Sequence, residues 1–171
     1  MSGIYLSIGT NLGKREENLS RCLKLISSHK SLQIEKISSV YESEPVGFIE
    51  QPWFLNIAIQ ILSTLKPLEL LELLHQFEIK VGRKRTFFWG PRIIDIDIID
   101  YFNKILNHPK LNLPHRQLHV RQFVLIPLKE IADRYIHPVL HKNIDQLLTE
   151  CPDNSQIKWF MNGKKLLINK T

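Results

Sequence analysis

The chain has 171 residues, of which 43% are hydrophobic and 23% are charged. This composition is typical of a soluble globular protein, and the length suits one ordinary core, so we expect a single domain over residues 1–171. The formal net charge of +6 favours an anionic partner such as a polyphosphate, a nucleic acid or an acidic lipid surface. Charge alone does not choose among these partners.

Two classes of protein are disfavoured at once. No apolar run approaches the roughly 20 residues that a membrane helix needs, and the first residues, M-S-G-I-Y-L, lack a basic leader and a cleavage site. We therefore expect a cytoplasmic protein with no membrane partner. The two cysteines, Cys22 and Cys151, lie far apart without a C-x-x-C spacing, which predicts neither a disulfide framework nor a thiolate metal site.

The chain opens with a predicted strand, a turn and a helix. Residues 4–8 form the strand candidate, and G-T-N-L-G follows it. The spacing of Leu19, Cys22, Leu23 and Ile26 is that of a helix face. The turn is not a Walker phosphate loop, because its glycines are one residue too close and Arg15 replaces the required Ser or Thr.

Two further strands are predicted around a loop. Residues 34–41 are rich in β-branched side chains, and residues 54–62 alternate between two faces, with the proline-containing stretch 42–52 between them. Phe54 and Asn56 share one face of the second strand. A ring beside an amide suits a flat, hydrogen-bonding heterocycle, although such a pair is more often a second packing face.

The remaining elements complete a mixed α+β pattern. Pro67 suits a first helical turn, and an apolar stripe continues from there to Val81 and Gly82. A strand around residues 94–99 follows, then a helix over residues 123–131, and Asn162-Gly163 predicts a tight C-terminal hairpin. The order βαββαβ predicts a ferredoxin-like α+β sandwich, with helices packed on a mainly antiparallel sheet.

The most informative segment is W-G-P-R-I-I-D-I-D-I-I, at residues 89–99. Because side chains alternate along a strand, Asp95 and Asp97 share one face about 7 Å apart, and the isoleucines point to the other. Two carboxylates so placed need a cation or basic side chains beside them, and Mg²⁺ prefers oxygen ligands. The alternative is a solvated strand edge with no function.

Basic side chains immediately before this strand favour the functional interpretation. Arg83, Lys84, Arg85 and Arg92 are interleaved with Phe87, Phe88 and Trp89. Guanidinium groups bind phosphate oxygens, so cations next to a carboxylate pair describe the two halves of a nucleoside triphosphate site.

Two other classes of function compete with this hypothesis. His115 with His119, and His137 with His141, have the i, i+4 spacing of zinc ligands on a helix, but Pro114 and Pro138 make a regular helix doubtful. A basic ferredoxin-like module could bind nucleic acid, but Asp95 and Asp97 would repel a phosphate backbone. We therefore expect no nucleic acid partner.

Several ordered motifs together resemble the 6-hydroxymethyl-7,8-dihydropterin pyrophosphokinase family of folate synthesis. They are G-T-N-L-G, E-S-E-P-V-G, Q-P-W-F-L-N, G-R-K-R, W-G-P-R-I-I-D-I-D and L-P-H-R-Q-L-H-V-R-Q-F-V-L-I-P-L. The resemblance extends to about Ala132. It implies a ferredoxin-like enzyme that transfers pyrophosphate from ATP to the pterin hydroxymethyl group, releasing AMP, with two Mg²⁺ ions. We expect it to act as a monomer on these two small-molecule substrates.

The resemblance also implies roles for individual residues. Asp95 and Asp97 would ligate the metal ions, and the catalytic set would be Arg83, Arg92, Asp95 and Asp97. The pterin would contact Ser43, Pro45, Val46, Phe54, Asn56, Trp89, Asp95 and Phe123. ATP would contact Glu78, Arg83, Arg85, Trp89, Arg92, Ile98, Leu111, His115, Arg116 and Arg121. Five positions depart from the usual pattern. Ser43 stands where Thr is common, Glu44 where Pro is common, and Phe54 where Tyr is common. Phe88 stands where Arg often precedes the Trp, and Arg116 stands where Tyr is frequent.

Overall fold

The structure is a computed structural model that describes residues 3–46, 50–83 and 90–168. Its strands are β1 (Ile4–Thr10), β2 (Leu32–Ile37), β3 (Val40–Ser43), β4 (Phe54–Ser63), β5 (Asp95–Tyr101), β6 (Leu106–His108), β7 (Leu111–Leu113) and β8 (Ile157–Met161). Its helices are α1 (Arg15–Ser27), α2 (Pro67–Val81), α3 (Gln122–Ile131), α4 (Ile144–Glu150) and α5 (Lys165–Ile168). The helices predicted after the first strand, at Pro67 and around residues 123–131 are therefore confirmed.

The main sheet has the strand order β5-β1-β4-β3-β8, with β2 also paired to β4, and all of these pairs are antiparallel. The predicted strand at residues 34–41 is divided into β2 and β3. The break falls at Ser38, whose backbone N–H donates to the Ala58 carbonyl and whose hydroxyl accepts from the Ala58 N–H, both at 2.9 Å. With β2 and β3 taken together, the predicted ferredoxin-like α+β fold is confirmed.

One face of the sheet is covered by α1 and α2. The alternating apolar residues of strands β1, β4 and β5 point to this side, where they form the larger hydrophobic core with the two helices. This core includes Ile4, Leu6, Ile8, Ile57, Ile59, Ile96, Ile98, Leu19, Leu23, Leu70 and Leu74. The period-2 and helical patterns in the sequence are the direct cause of this layer.

The opposite face of the sheet is covered only in part. A second core joins Tyr5, Ala58 and Ile99 to α3 and α4. A register shift between β1 and β5 occurs near Ile99, and the buried Asp100 beside it accepts a hydrogen bond of 2.9 Å from the Tyr135 hydroxyl. The other end of the same face, towards Gly9 and the start of β5, borders a pocket.

The predicted C-terminal hairpin is wrong. Asn162-Gly163 does form a turn, but the residues after it form helix α5, and β8 pairs with β3. A helix here buries Leu166 in the larger core, where its carbonyl accepts a 2.7 Å hydrogen bond from the Ser20 hydroxyl. A turn signal specifies a reversal of the chain, but not the element that follows it.

Within the three described ranges, none of the helices combines the length and apolar character needed to cross a bilayer.

Candidate active site

A pocket enclosing about 640 Å³ of empty space, open solvent included, lies at the less covered end of the second sheet face. Strands β1, β3, β4 and β5 contribute its sheet side, and the start of α3 contributes another wall. Its described lining comprises Ser7, Gly9, Ser43, Glu44, Val46, Gln51, Phe54, Asn56, Arg92, Asp95, Asp97, Arg121 and Phe123. The pocket thus combines carboxylates, guanidinium groups and aromatic rings.

Strand β5 presents both predicted carboxylates to this pocket. Asp95 and Asp97 are among the lining residues, whereas Ile96 and Ile98 are 2% exposed in the larger core. In the register with β1, Asp95 is opposite Gly9 and Asp97 is opposite Ser7. The alternation predicted for this segment is therefore confirmed.

Two arginines bond the carboxylate of Asp95. The guanidinium of Arg83 donates to Asp95 Oδ1 at 2.7 Å, and that of Arg92 donates to Asp95 Oδ2. Arg83 also forms an ion pair with the buried Glu78 at 2.5 Å. The clustering of these cations with the acidic strand, expected from sequence proximity, is present in three dimensions.

Arg83 owes its position to the end of α2. Gly82 ends the helix at φ +119°, a backbone conformation that glycine adopts without strain, and the Arg83 N–H donates to the Glu78 carbonyl at 2.9 Å. The Glu78 carboxylate in turn accepts from the Ile96 N–H of β5 at 2.8 Å. Helix end, arginine and acidic strand are therefore joined by one hydrogen-bonded network.

Arg92 is positioned by Asn11, which lies in G-T-N-L-G at the end of β1. The Asn11 side-chain oxygen accepts from the Arg92 N–H at 2.8 Å, and the Asn11 N–H donates to the Arg92 carbonyl at 3.1 Å. The Asn11 amide also donates to Gln51 and to the Pro52 carbonyl, both at 2.9 Å. This buried side chain holds the β1 turn, the Gln51 segment and Arg92 together.

The electrostatics of the pocket differ from those of an exposed surface. Burial, with a further contribution from the Asp95 charge, raises the pKa of Asp97 to about 7, although Arg121, Arg92 and Arg83 oppose the rise. Burial likewise raises the pKa of Glu78 to about 7 against the influence of Arg83. Both raised pKa values mean that the charged carboxylates are destabilised in this pocket, so a bound cation would stabilise them.

The opposite part of the pocket combines buried hydrogen-bonding side chains with aromatic rings. Asn56 donates from Nδ2 to the Ser43 hydroxyl at 2.8 Å, and both residues are buried. Phe54 lies next to them on β4, and Phe123 contributes a second ring from α3. Gly9 keeps this space open, because a Cβ there would lie 3.0 Å from Asn56 Oδ1.

Arg121 joins the two parts of the pocket. Its guanidinium lies 5.5 Å from the centre of the Phe123 ring and within the electrostatic reach of Asp97 and Asp95. His115 is close to the same group: burial, then the charge of Arg121, lowers the pKa of His115 to about 4. Both effects favour the neutral imidazole of His115.

Some residues predicted for the site lie elsewhere. Pro45 is buried and is not among the residues that line the pocket, and Ile98 and Leu111 are in the larger core, where they are 2% and 7% exposed. Arg116 is exposed and bonds Asn107 at 3.3 Å. Arg85 and Trp89 lie outside the described residues, so the predictions for them stay predictions.

Ser7 and Gln51, in contrast, line the pocket without having been predicted. Ser7 could have been found, because it alternates with the apolar residues of I-Y-L-S-I-G and thus shares a face with Gly9. Gln51 lies near the end of the proline-containing stretch 42–52, and no sequence pattern there fixes the direction of its side chain.

The donor set at β5 suits divalent ions. Across the described ranges, no group of three or more His, Cys, Asp or Glu side chains is placed to hold a metal ion. Asp95 and Asp97 alone would leave most coordination positions to water and ligand oxygens, which is how Mg²⁺ is usually held with phosphates. The two histidine pairs, considered from the sequence as zinc ligands and disfavoured there, form no such group among these residues.

A family described as 7,8-dihydro-6-hydroxymethylpterin-pyrophosphokinase (HPPK) matches residues 5–133. The chain is 42% identical over 151 residues to the 2-amino-4-hydroxy-6-hydroxymethyldihydropteridine pyrophosphokinase of Aquifex aeolicus, covering 88% of this chain and 92% of that protein. It is 39% identical over 142 residues to the Bacillus subtilis enzyme of the same name, covering 83% and 85%.

Other similar proteins are longer. The bifunctional protein FolKE of Lactococcus lactis is 41% identical over 142 residues, and the match covers 81% of this chain but only 41% of that protein. The crystal structure of Plasmodium falciparum HPPK-DHPS has a TM-score of 0.66 at 16% identity, covering 87% of this chain and 44% of that one. The chain therefore spans about two fifths of these bifunctional proteins, and the structural likeness concerns the fold.

Proposed function

This chain belongs to the 7,8-dihydro-6-hydroxymethylpterin-pyrophosphokinase family, and from that premise we propose that it transfers pyrophosphate from ATP to 6-hydroxymethyl-7,8-dihydropterin, releasing AMP. The observation that carries the proposal is the meeting of Asp95 and Asp97 with Arg92 and Arg121 in one pocket beside the Phe54 ring. An acidic strand, opposing guanidinium groups and a face for a heterocycle are the parts that this transfer requires.

Asp95 and Asp97 are the proposed ligands of two Mg²⁺ ions. When bound, the ions would neutralise phosphate charge and polarise the hydroxyl that attacks. The two carboxylates suit this role because they lie on a paired strand whose other face is fixed in the core, so their separation is held by the sheet.

Arg83, Arg92 and Arg121 are the proposed phosphate-binding groups, and Arg85 is assigned with them from the family resemblance. Arg83 and Arg92 already converge on Asp95, so phosphate oxygens brought to that carboxylate with its metal would lie within their reach. Guanidinium groups held in place before the reaction stabilise the developing charge without reorganisation. Catalysis then rests on position and electrostatics, without a covalent intermediate.

The remaining ATP contacts are proposed on the same basis. Glu78 forms an ion pair with Arg83, and the charge of Arg121 acts on His115. Trp89, Ile98, Leu111 and Arg116 are assigned to the nucleotide from the resemblance alone.

The pterin is proposed to lie between the rings of Phe54 and Phe123. Ser43 and Asn56 offer hydrogen-bonding groups at the edge of this space, and Val46 also lines the pocket. Pro45 is assigned to the pterin from the family resemblance alone. Stacking on two rings with a polar edge is the chemistry that a flat amide-bearing heterocycle requires. A single-domain monomer in the cytoplasm completes the proposal.

The proposal is tested by incubating the protein with ATP, Mg²⁺ and the hydroxymethyl pterin and separating the nucleotide products. We expect AMP, and we expect Asp97→Ala to lower its rate by several orders of magnitude. Asp133→Ala removes an exposed carboxylate away from the pocket and serves as the matched control. ADP as the product, or an unimpaired Asp97→Ala protein, would contradict the proposal.

A further inference from the structure

Helix α3 begins at the pocket without a side-chain cap of its own. Its N-cap residue, Arg121, makes no capping hydrogen bond, and the first helical residue is Gln122. Arg121 and Phe123, on either side of Gln122, both line the pocket. Since the first backbone N–H groups of a helix need acceptors from outside it, the position of these two residues depends on what holds Gln122.

Asp153 supplies the missing cap from 31 residues further along the chain. Its Oδ2 accepts from the Gln122 N–H at 2.9 Å, and its Oδ1 accepts from the Ser155 N–H at 3.0 Å. The Gln122 side chain donates back to the Asp153 carbonyl oxygen. One oxygen of the Asp153 carboxylate is therefore held by the backbone of its own segment, and the other oxygen caps the helix. The negative charge of the carboxylate is also favourable at a helix N-terminus.

The same short segment also contacts the opposite wall of the pocket. The Gln156 N–H donates to Glu44 Oε2 at 2.8 Å, and the Glu44 N–H donates to the Gln156 carbonyl at 3.1 Å. Glu44 lines the pocket and follows Ser43, which is paired with Ile157 of β8. Residues 153–156, which we name the bracing segment, therefore join the start of α3 to the end of β3.

We propose that Asp153 is a positioning residue, and that the bracing segment sets the separation of the two pocket walls that carry Phe123 and Ser43. The segment lies beyond residues 5–133, the part that the family match covers. The inference rests on the proposed function only in naming the pterin as the molecule held between these walls.

The test compares Asp153→Ala and Asp153→Asn with the parent protein. Loss of the cap releases the first turn of α3, so we expect Asp153→Ala to raise the KM for the pterin about tenfold, with kcat within about threefold of the parent. The Asn side chain keeps an oxygen that can accept from the Gln122 N–H, so its KM should lie between the two. Glu150→Ala is the control, because Glu150 is an exposed acid of the same C-terminal region that pairs with Lys142.

A second measurement separates this inference from the proposed reaction. Amide hydrogen exchange at residues 122–124 of the ligand-free protein should be about tenfold faster in Asp153→Ala, with Asp153→Asn again between it and the parent. If the parent protein formed no AMP, the proposed reaction would be refuted. The exchange rates would still show whether Asp153 in the bracing segment holds the start of α3. The role of Asp153 would be overturned if Asp153→Ala left the exchange rates or the pterin KM equal to those of the parent. It would also be overturned if Asp153→Asn were as impaired as Asp153→Ala.

Discussion

Arg83 donates a hydrogen bond of 2.7 Å to the carboxylate of Asp95, the same group that we propose as a ligand of Mg²⁺. Arg92 bonds the second oxygen of this carboxylate. A cation arriving alone must therefore share Asp95 with two guanidinium charges. A cation that binds together with ATP brings phosphate oxygens, which can accept the hydrogen bonds of the two guanidinium groups in place of Asp95. Binding of the metal and binding of the nucleotide should therefore favour each other.

The first prediction concerns this coupling. Arg83→Gln removes one positive charge from Asp95, so we expect Mg²⁺ alone to bind about tenfold more tightly than to the parent. The same change should lower pyrophosphate transfer by about 10²-fold to 10³-fold, because a preorganised phosphate contact is lost. Calorimetric titration and the AMP assay give the two values. The control is Arg21→Gln on α1, and an Mg²⁺ affinity that falls in Arg83→Gln would contradict the coupling.

The second prediction concerns the hydroxyl of Ser43. Ser43→Ala leaves the buried Asn56 amide without its 2.8 Å partner, which should cost about 1 to 3 kcal/mol of folding free energy and weaken pterin binding. Ser43→Thr retains the hydroxyl and is the matched control. Urea denaturation and pterin titration provide the measurements. Equal behaviour of the Ala and Thr variants would show that this bond does not shape the pocket.

The third prediction concerns pH and His137. The Nδ1 atom of this buried side chain accepts from the N–H groups of Val139 and Leu140, at 3.2 and 3.1 Å, so it must remain unprotonated. Burial, with the charges of His119 and His141, lowers the pKa of His137 to about 4 from 6.5. The neutral ring therefore favours the fold fully above pH 6.5, and this contribution is lost as the pH falls from 6.5 towards 4.

The expected loss is about 3 kcal/mol, an upper limit that follows from the size of the pKa difference. His137→Asn offers an oxygen in place of Nδ1 and does not titrate. We expect it to remove the His137 contribution to the pH dependence of the unfolding free energy between 6.5 and 4.5, so that the variant loses less stability on acidification than the parent does. The lowered pKa of His115 acts in the same direction as that of His137, whereas the raised pKa values of Asp97 and Glu78 act in the opposite direction, so the slope of the variant is compared with that of the parent. Urea midpoints at three pH values measure this, and an unchanged slope would refute it.

The fourth prediction concerns Gly163 at the turn between β8 and α5. A Cβ on this residue would lie 2.0 Å from the backbone carbonyl oxygen of Ser38, which cannot rotate away. Gly163→Ala should therefore lower the free energy of unfolding by about 2 to 4 kcal/mol. Lys164→Ala, at an exposed neighbouring position, is the control in thermal denaturation. An alanine variant as stable as the parent would show that the turn can move.

The elements that the sequence predicted well are those with a strong period. Asp95 and Asp97 could be placed on one face of a strand because only alternation was needed, and the apolar stripe ending at Gly82 predicted α2 for similar reasons. The meeting of Arg83 and Arg92 with Asp95 was predictable because the three residues lie close together along the chain. Local pattern and short separation account for these successes.

The elements that were missed depend on distant pairing. Nothing near Asn162 indicated that the following residues would form α5, because the burial of Leu166 requires the helix α1. Nor could Asn11 be linked to Arg92, 81 residues away, before the fold had brought them together. Hydrogen bonds between remote loops leave no periodic trace in a single sequence, and such contacts hold much of this pocket in place.

The alternation along β5 divides its residues between two kinds of selection. Packing against the helices constrains Ile96 and Ile98, whereas Asp95 and Asp97 are constrained by the molecules that bind in the pocket. Substitutions on one side need not disturb the other, so the ligand preference of the pocket, including the proposed binding of Mg²⁺, can be changed while folding is preserved. An engineer could therefore vary Asp95 and Asp97 for ligand preference and leave Ile96 and Ile98 untouched.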